Sequence, residues 1–168
     1  MDEPLLGYEI VKITILGSHK VGKTSIIERL IRDLFFDDLP PTFCADFTNR
    51  MINFPGSLVK LQLWDTAGLE RFRRAGQEYR GPKVGFMVVY DCTDPSSFHD
   101  CGSWFGEIER RAENRPMMLV GNKCDLSANR AISEKEGRDT ALVFGASFME
   151  TSAKDSTKCG MRNRISHT

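Results

Sequence analysis

The chain has 168 residues, enough for one domain with a sizeable core. Apolar residues make up 40% of it and charged residues 27%, the balance of an ordinary globular protein rather than a disordered or fibrous one. Lysine plus arginine (23) equals aspartate plus glutamate (23), so the formal net charge is zero, which argues against a general nucleic-acid binder. The five cysteines, Cys44, Cys92, Cys101, Cys124 and Cys159, form no CxxC pair, so neither a zinc site nor a redox motif is indicated and the thiols read as reduced. No apolar run approaches the roughly 20 residues needed to span a bilayer. The acidic start MDEPLLGYE is unlike a signal peptide, so an intracellular, cytoplasmic protein is expected.

Residues 8–16, YEIVKITIL, are β-rich and mostly apolar and end against Gly17, the pattern of a buried strand. From Thr24 to Leu34, the residues Ile26, Ile27, Leu30, Ile31 and Leu34 recur at helical spacing. A loop rich in Asp, Pro and Phe follows at 35–43, then two strands at 46–54 and 58–64 with PGS as the turn between them. The charged stretch 65–82 reads as loop plus a short helix, and VGFMVVY, 84–90, as a central strand. Asp94 or Ser96 is placed to cap a helix that carries Phe98, Cys101, Phe105 and Ile108 on one face. MMLVG, 117–121, is another buried strand. Residues 133–145 are helical, with Ser133 and Glu136 as a capping box, and SFMET is a last short strand. This alternation predicts an α/β fold with a parallel sheet and helices on both faces. A single domain over 1–154 and a short atypical tail over 155–168 are expected.

GSHKVGKT, Gly17 to Thr24, matches GxxxxGK[ST] between a strand and a helix. The backbone N–H groups of such a loop wrap phosphates, and the helix N-terminus adds a favourable dipole. Gly22 permits close backbone approach, Lys23 reaches the β- and γ-phosphates, and the Thr24 hydroxyl is a ligand for Mg²⁺. The bland alternative is a chance glycine-containing turn. Alone, the motif says only nucleoside triphosphate.

KLQLWDTAG, Lys60 to Gly68, is a strand that ends in a carboxylate. Asp65 at its carboxyl end suits Mg²⁺ held through a water, because Mg²⁺ sheds water reluctantly. Gly68 would let a backbone N–H approach the γ-phosphate. NKCD, Asn122 to Asp125, directly follows the strand MMLVG. The Asp125 carboxylate accepting from guanine N1–H and the N2 amine selects guanine, since adenine has no such donor pair and would leave it unpaired. Asn122 would tie this loop to the phosphate loop, and the Lys123 stem would lie along the base. TSAK, Thr151 to Lys154, supplies the Ala153 N–H to guanine O6.

With GSHKVGKT, PTFCADF, VKLQLWDTAG, RFR, EYRGP, VVYDCT, NKCD and ETSAK in this order, the sequence resembles the Ras superfamily of small GTPases, most closely its Rab branch, over roughly residues 8–154. The resemblance implies a P-loop fold with a mostly parallel six-stranded sheet and helices on both faces. A shortened or missing last helix is a departure that the polar tail DSTKCGMRNRISHT imposes, since the family continues with an amphipathic helix there. The resemblance also implies two nucleotide-sensitive loops and GTP or GDP bound with Mg²⁺. The implied nucleotide-binding set is Gly17, Ser18, His19, Lys20, Val21, Gly22, Lys23, Thr24, Ser25, Phe35, Thr42, Gly68, Asn122, Lys123, Asp125, Ser152, Ala153 and Lys154. The metal set is Thr24, Thr42 and, through water, Asp65. Thr42 resembles the first-switch threonine, and Phe35, with Phe36 competing, the aromatic that packs edge-on against guanine. Implied partners are effectors that read the switch loops with Phe47, Trp64 and Tyr79, an exchange factor and a GTPase-activating protein. Core packing is the competing reading for those aromatics.

Three departures qualify the resemblance. Leu69 stands where the family places the glutamine that orients the attacking water, and leucine has no group to do so. It is either an introduced replacement or the mark of a natural slow hydrolyser. His19 and Lys20 replace small residues of the phosphate loop, where their bulk would obstruct an arginine finger unless both side chains face solvent. DSTKCGMRNRISHT is polar, and Cys159 lies too far from its end for a prenylation signal, so stable lipid anchoring is not expected and membrane association would run through partners. The expected function is a Rab-like switch in vesicle traffic with catalytic positions Lys23, Thr42, Gly68 and Leu69. The alternative is a GTP-binding interaction module with negligible hydrolysis.

Overall fold

The structure, a computed structural model, describes residues 7–42, 46–66, 81, 83–112 and 114–157. The expectations for Gly68, Leu69, Tyr79, the residues just after Thr42 and the tail from 158 onward lie outside them. Six strands, β1 (Tyr8–Leu16), β2 (Asp46–Phe54), β3 (Ser57–Asp65), β4 (Val84–Asp91), β5 (Met117–Asn122) and β6 (Ser147–Glu150), form one sheet in the order β2-β3-β1-β4-β5-β6. All neighbours pair in parallel except β2 with β3, which the Pro55-Gly56 turn makes antiparallel. Gly56 sits at φ 83°, a conformation glycine adopts without cost.

Alternate residues of the central strands enter two separate cores, as the period of two requires. Leu16, Val88, Tyr90 and Leu119 pack with Trp104, Phe105 and Ile108 on one face. Ile15, Leu63, Val89 and Val120 pack with Ile26 and Ile27 on the other. The first face is covered by α2 (Pro95–His99), α3 (Cys101–Arg111) and α4 (Glu134–Val143), the second by α1 (Lys23–Arg32). Burial pushes the Cys92 and Cys101 thiols in the first core up to about 12, so both are protonated and unreactive at neutral pH.

Two elements differ from expectation. The helix expected over 24–34 ends at Arg32, because Asp33 turns left-handed at φ 56° and its N–H returns to the Arg29 carbonyl. Aspartate tolerates that conformation, and the turn throws Leu34 out to solvent. The single helix expected after Asp94 is two. Asp94 accepts from the Ser96 N–H at 3.0 Å and Pro95 opens α2, but the chain breaks step at Asp100 before α3 begins. The Ser133–Glu136 capping box is present in both directions: the Glu136 N–H donates to Ser133 Oγ at 3.2 Å and the Ser133 N–H to Glu136 Oε2 at 2.8 Å.

Candidate functional site

The loops at the carboxyl ends of the central strands surround a cleft of about 760 Å³. This is where an open α/β sheet places its ligands. The turn from β1 into α1 forms its floor. Gly17 has φ 143°, and a Cβ there would lie 2.2 Å from the Val89 carbonyl oxygen, so only glycine lets this loop pass over β4. Gly22 precedes α1 at φ 93°, and a Cβ there would lie 2.3 Å from Asn122 Nδ2. Lys23 is buried, and its ammonium donates to the carbonyls of Gly17 at 3.0 Å and Ser18 at 2.9 Å. The cation thus closes its own loop. Ser18 points outward, donating to Asp100 Oδ2 at the start of α3 at 2.7 Å. Lys20 takes φ 65°, a left-handed conformation unusual for a long side chain.

At this end of the cleft three oxygens meet. Thr24 Oγ1 donates to Asp65 Oδ2 at 2.5 Å, Thr42 Oγ1 reaches the same oxygen at 3.3 Å, and the two hydroxyls are 3.0 Å apart. Helix α1, the loop before β2 and the end of β3 each contribute one. Two hydroxyls and a carboxylate form a hard, all-oxygen donor set of the kind Mg²⁺ takes, alongside water and phosphate oxygens. The residues present therefore fit that ion.

At the other end, Asn122 is buried at the tip of β5 and binds two loops at once. Its Nδ2 donates to the Val21 carbonyl at 2.9 Å, and its Oδ1 accepts from the Ala153 N–H at 3.3 Å. Lys123, at φ 62°, donates to the Lys20 carbonyl at 3.0 Å and pairs with Asp91 at 2.6 Å. Ser152 is fully buried, and its Oγ accepts from the Asp155 N–H at 3.1 Å. Behind this loop Glu150 is buried against Arg130, which donates to Oε1 at 2.6 Å and Oε2 at 3.0 Å. Burial and Glu150 push the nearby Cys124 thiol up.

Of the residues singled out from sequence, His19, Lys20, Gly22, Lys23, Thr24, Ser25, Phe35, Thr42, Asn122, Lys123, Asp125, Ala153 and Lys154 line the cleft together. Gly17, Ser18, Val21 and Ser152 do not line it, and Asp65 reaches it through Thr24 and Thr42. Phe35 and Phe36 both line it, but Phe35 also packs on the α1 core while Phe36 is exposed. Phe47 stacks on Trp64 with centroids 4.9 Å apart, and the Lys12 ammonium lies 3.8 Å from the Trp64 ring centre. Sequence reasoning missed Asp91, Asp100 and Arg29, which hold Lys123, Ser18 and the Ala153–Lys154 backbone respectively. Asp91, at the end of an apolar strand, carried a readable signal. The other two lie more than 80 positions from the groups they meet.

The family model described as Ras family matches residues 12–162. The chain belongs to the Ras family. It is 42% identical over 149 residues to Ras-related protein RIC1 of Oryza sativa subsp. japonica, covering 88% of this chain and 74% of that one. It is 42% identical to Ras-related protein RABA5c of Arabidopsis thaliana, covering 88% and 70%. It is 40% identical to Ras-related protein Rab-8B of Pongo abelii, covering 88% and 72%. Members of the family are small GTPases that bind guanine nucleotides and hydrolyse GTP. The six-stranded, mostly parallel sheet described above is the fold of a Ras-like P-loop GTPase. Among the described residues no helix is long and apolar enough to cross a membrane.

Proposed function

We propose that this Ras-family chain is a switch that holds GTP or GDP in the cleft, with Mg²⁺ at Thr24, Thr42 and, through water, Asp65. The observation that supports it is a single cleft with a glycine-bounded loop and an oxygen cluster at one end and Asn122, Asp125 and Ala153 at the other. The N–H groups of the loop from Gly17 to Ser25 take the phosphates, and the Lys23 ammonium adds charge at the β- and γ-phosphates. When bound, Mg²⁺ neutralises charge on those phosphates. Asp125 accepts from guanine N1–H and the N2 amine, the Ala153 N–H is shared between Asn122 Oδ1 and guanine O6, and Lys123 and Phe35 flank the base. Ser152 and Lys154 hold that loop in place.

In the GTP form, the Thr42 and Gly68 N–H groups meet the γ-phosphate and order the two loops that effectors read, together with Phe47, Trp64 and Tyr79. Hydrolysis is attack of water on the γ-phosphorus: a new P–O bond forms, the bond to the β-phosphate oxygen breaks, and GDP and phosphate leave. With Leu69 in place of glutamine nothing at that position orients the water, so hydrolysis is slower than the roughly 10⁻⁴ s⁻¹ of an unaided Ras-type enzyme. The proposed setting is vesicle traffic at the cytosolic face of intracellular membranes, with an exchange factor and a GTPase-activating protein as regulators.

The test is to purify the protein, denature it and identify the released nucleotide by ion-exchange chromatography, then to repeat this after GTP loading and hours of incubation. GTP retained at both points is the expected result. Conversion to GDP would mean that another group orients the water. The absence of any guanine nucleotide would overturn the reading of the cleft.

A further inference from the structure

We infer that Arg29 is a positioning residue for the base: it fastens the end of α1 to the loop that presents Ala153 and Lys154. This rests on the reading of the cleft as a guanine site. Arg29 lies in the last turn of α1 and makes four hydrogen bonds in two directions. Its Nε donates to the Ala153 carbonyl at 2.8 Å and its Nη2 to the Lys154 carbonyl at 3.2 Å. Its Nη1 donates to the Asp33 carbonyl at 2.8 Å and to Asp33 Oδ1 at 2.9 Å. The Asp33 N–H closes the circuit on the Arg29 carbonyl at 3.1 Å.

A cation at a helix C-terminus is ordinarily there for the helix dipole and the last carbonyls. The two bonds to Asp33 serve that role. The other two cross 124 and 125 positions to consecutive carbonyls of the base-side loop, and the side chain is only 12% exposed. Holding the carbonyls on both sides of Lys154 leaves little rotation between those two planar peptides. The Lys154 ammonium accordingly reaches 3.5 Å from Asp37 and lies 5.9 Å from the Phe35 ring centre. The same clamp limits how far Ala153 can swing: this residue lines the cleft, and its N–H is shared between Asn122 Oδ1, at 3.3 Å, and the position of O6. A guanidinium suits this task because its planar fork serves separate acceptors at fixed angles. An ammonium keeps the charge and loses the fork.

Because Asp33 leads directly into the 34–42 loop, the clamp also joins base-side and phosphate-side segments. Loosening it should release nucleotide faster and blunt recognition of O6.

Arg29→Lys tests this, since it retains the charge at the helix end. The probes are GDP and 6-thio-GDP, in which sulfur, a weaker acceptor, replaces O6. GDP release from Arg29→Lys should quicken roughly tenfold, the loss of about one charge-assisted hydrogen bond, and the preference for GDP over 6-thio-GDP should shrink by a similar factor. Asp33→Ala, which keeps the bonds to the loop, should retain that preference with its melting temperature lowered. A folded Arg29→Lys with unchanged release and unchanged preference would reduce Arg29 to a helix cap and overturn the assignment alone. Wild-type protein that holds no GDP would overturn both the assignment and the reading of the cleft.

Discussion

A methyl group on Gly22 would end 2.3 Å from the Asn122 carboxamide nitrogen, in a backbone already at φ 93°. The collision is with a rigid link, because Asn122 holds the Val21 carbonyl and the Ala153 N–H at once. Gly22→Ala should cost about 2 kcal/mol from the left-handed backbone and the displaced amide together. It should also weaken GDP binding, as read by thermal melting and fluorescence titration. Leu69 lies outside the described residues, so its prediction rests on chemistry alone. Leu69→Gln should raise single-turnover GTP hydrolysis at least about tenfold by restoring a group that orients water, and an unchanged rate would discard the water-orientation argument. The motif positions at this scale were legible because each needs a particular atom: a missing Cβ, a hydroxyl, a carboxylate, an ammonium. Arg29 and Asp100 were not legible, because their partners come from remote parts of the chain.

At the scale of one element, α4 carries its own start signal. The capping box satisfies the N–H groups of both Ser133 and Glu136, which no helical carbonyl can reach. Ser133→Ala should cost about 1 kcal/mol at neutral pH, a fall of roughly 2–4 °C in melting temperature. The hydrogen bonds from the Ser133 side chain and backbone hold the Glu136 carboxyl below its usual value of 4.5. A depressed folded pKa means stability that is present above the unfolded value and lost as pH falls through the folded one. The difference in melting temperature between wild type and Ser133→Ala should therefore narrow as the pH drops below about 4.5. Element positions were largely readable from periodicity, and the misses were local. Asp33 stops α1 by turning left-handed, and Asp100 divides one apolar helical face into α2 and α3. Neither residue breaks the pattern of apolar positions that sequence reading follows.

Across the whole molecule, the half-buried Arg130 and the buried Glu150 connect the segment after β5 to the end of β6, directly behind the base-side loop. Arg130→Ala would leave Glu150 buried without its bidentate partner, at a cost of about 3 kcal/mol and a melting temperature lower by roughly 10 °C. Replacing both residues by apolar ones, Arg130→Met with Glu150→Leu, should recover most of that loss. If the double variant melts as low as the single one, the penalty does not come from an uncompensated charge. The sheet makes such long-range pairs unavoidable: neighbours in the order β2-β3-β1-β4-β5-β6 are often distant in sequence.

By itself the sequence determined the kinds of element, the two-sided sheet and the motif residues that come to line the cleft. Each of these depends on local spacing or on one indispensable side chain. Only the tertiary structure decided that Thr24, Thr42 and Asp65 share one oxygen cluster, that Asn122 joins the two ends of the cleft, and that Arg29 spans from α1 to residues 153 and 154. The physical reason is that such contacts are set by strand order and the crossing of distant loops, and a hydrogen bond between residues 124 positions apart leaves no periodic trace in either segment.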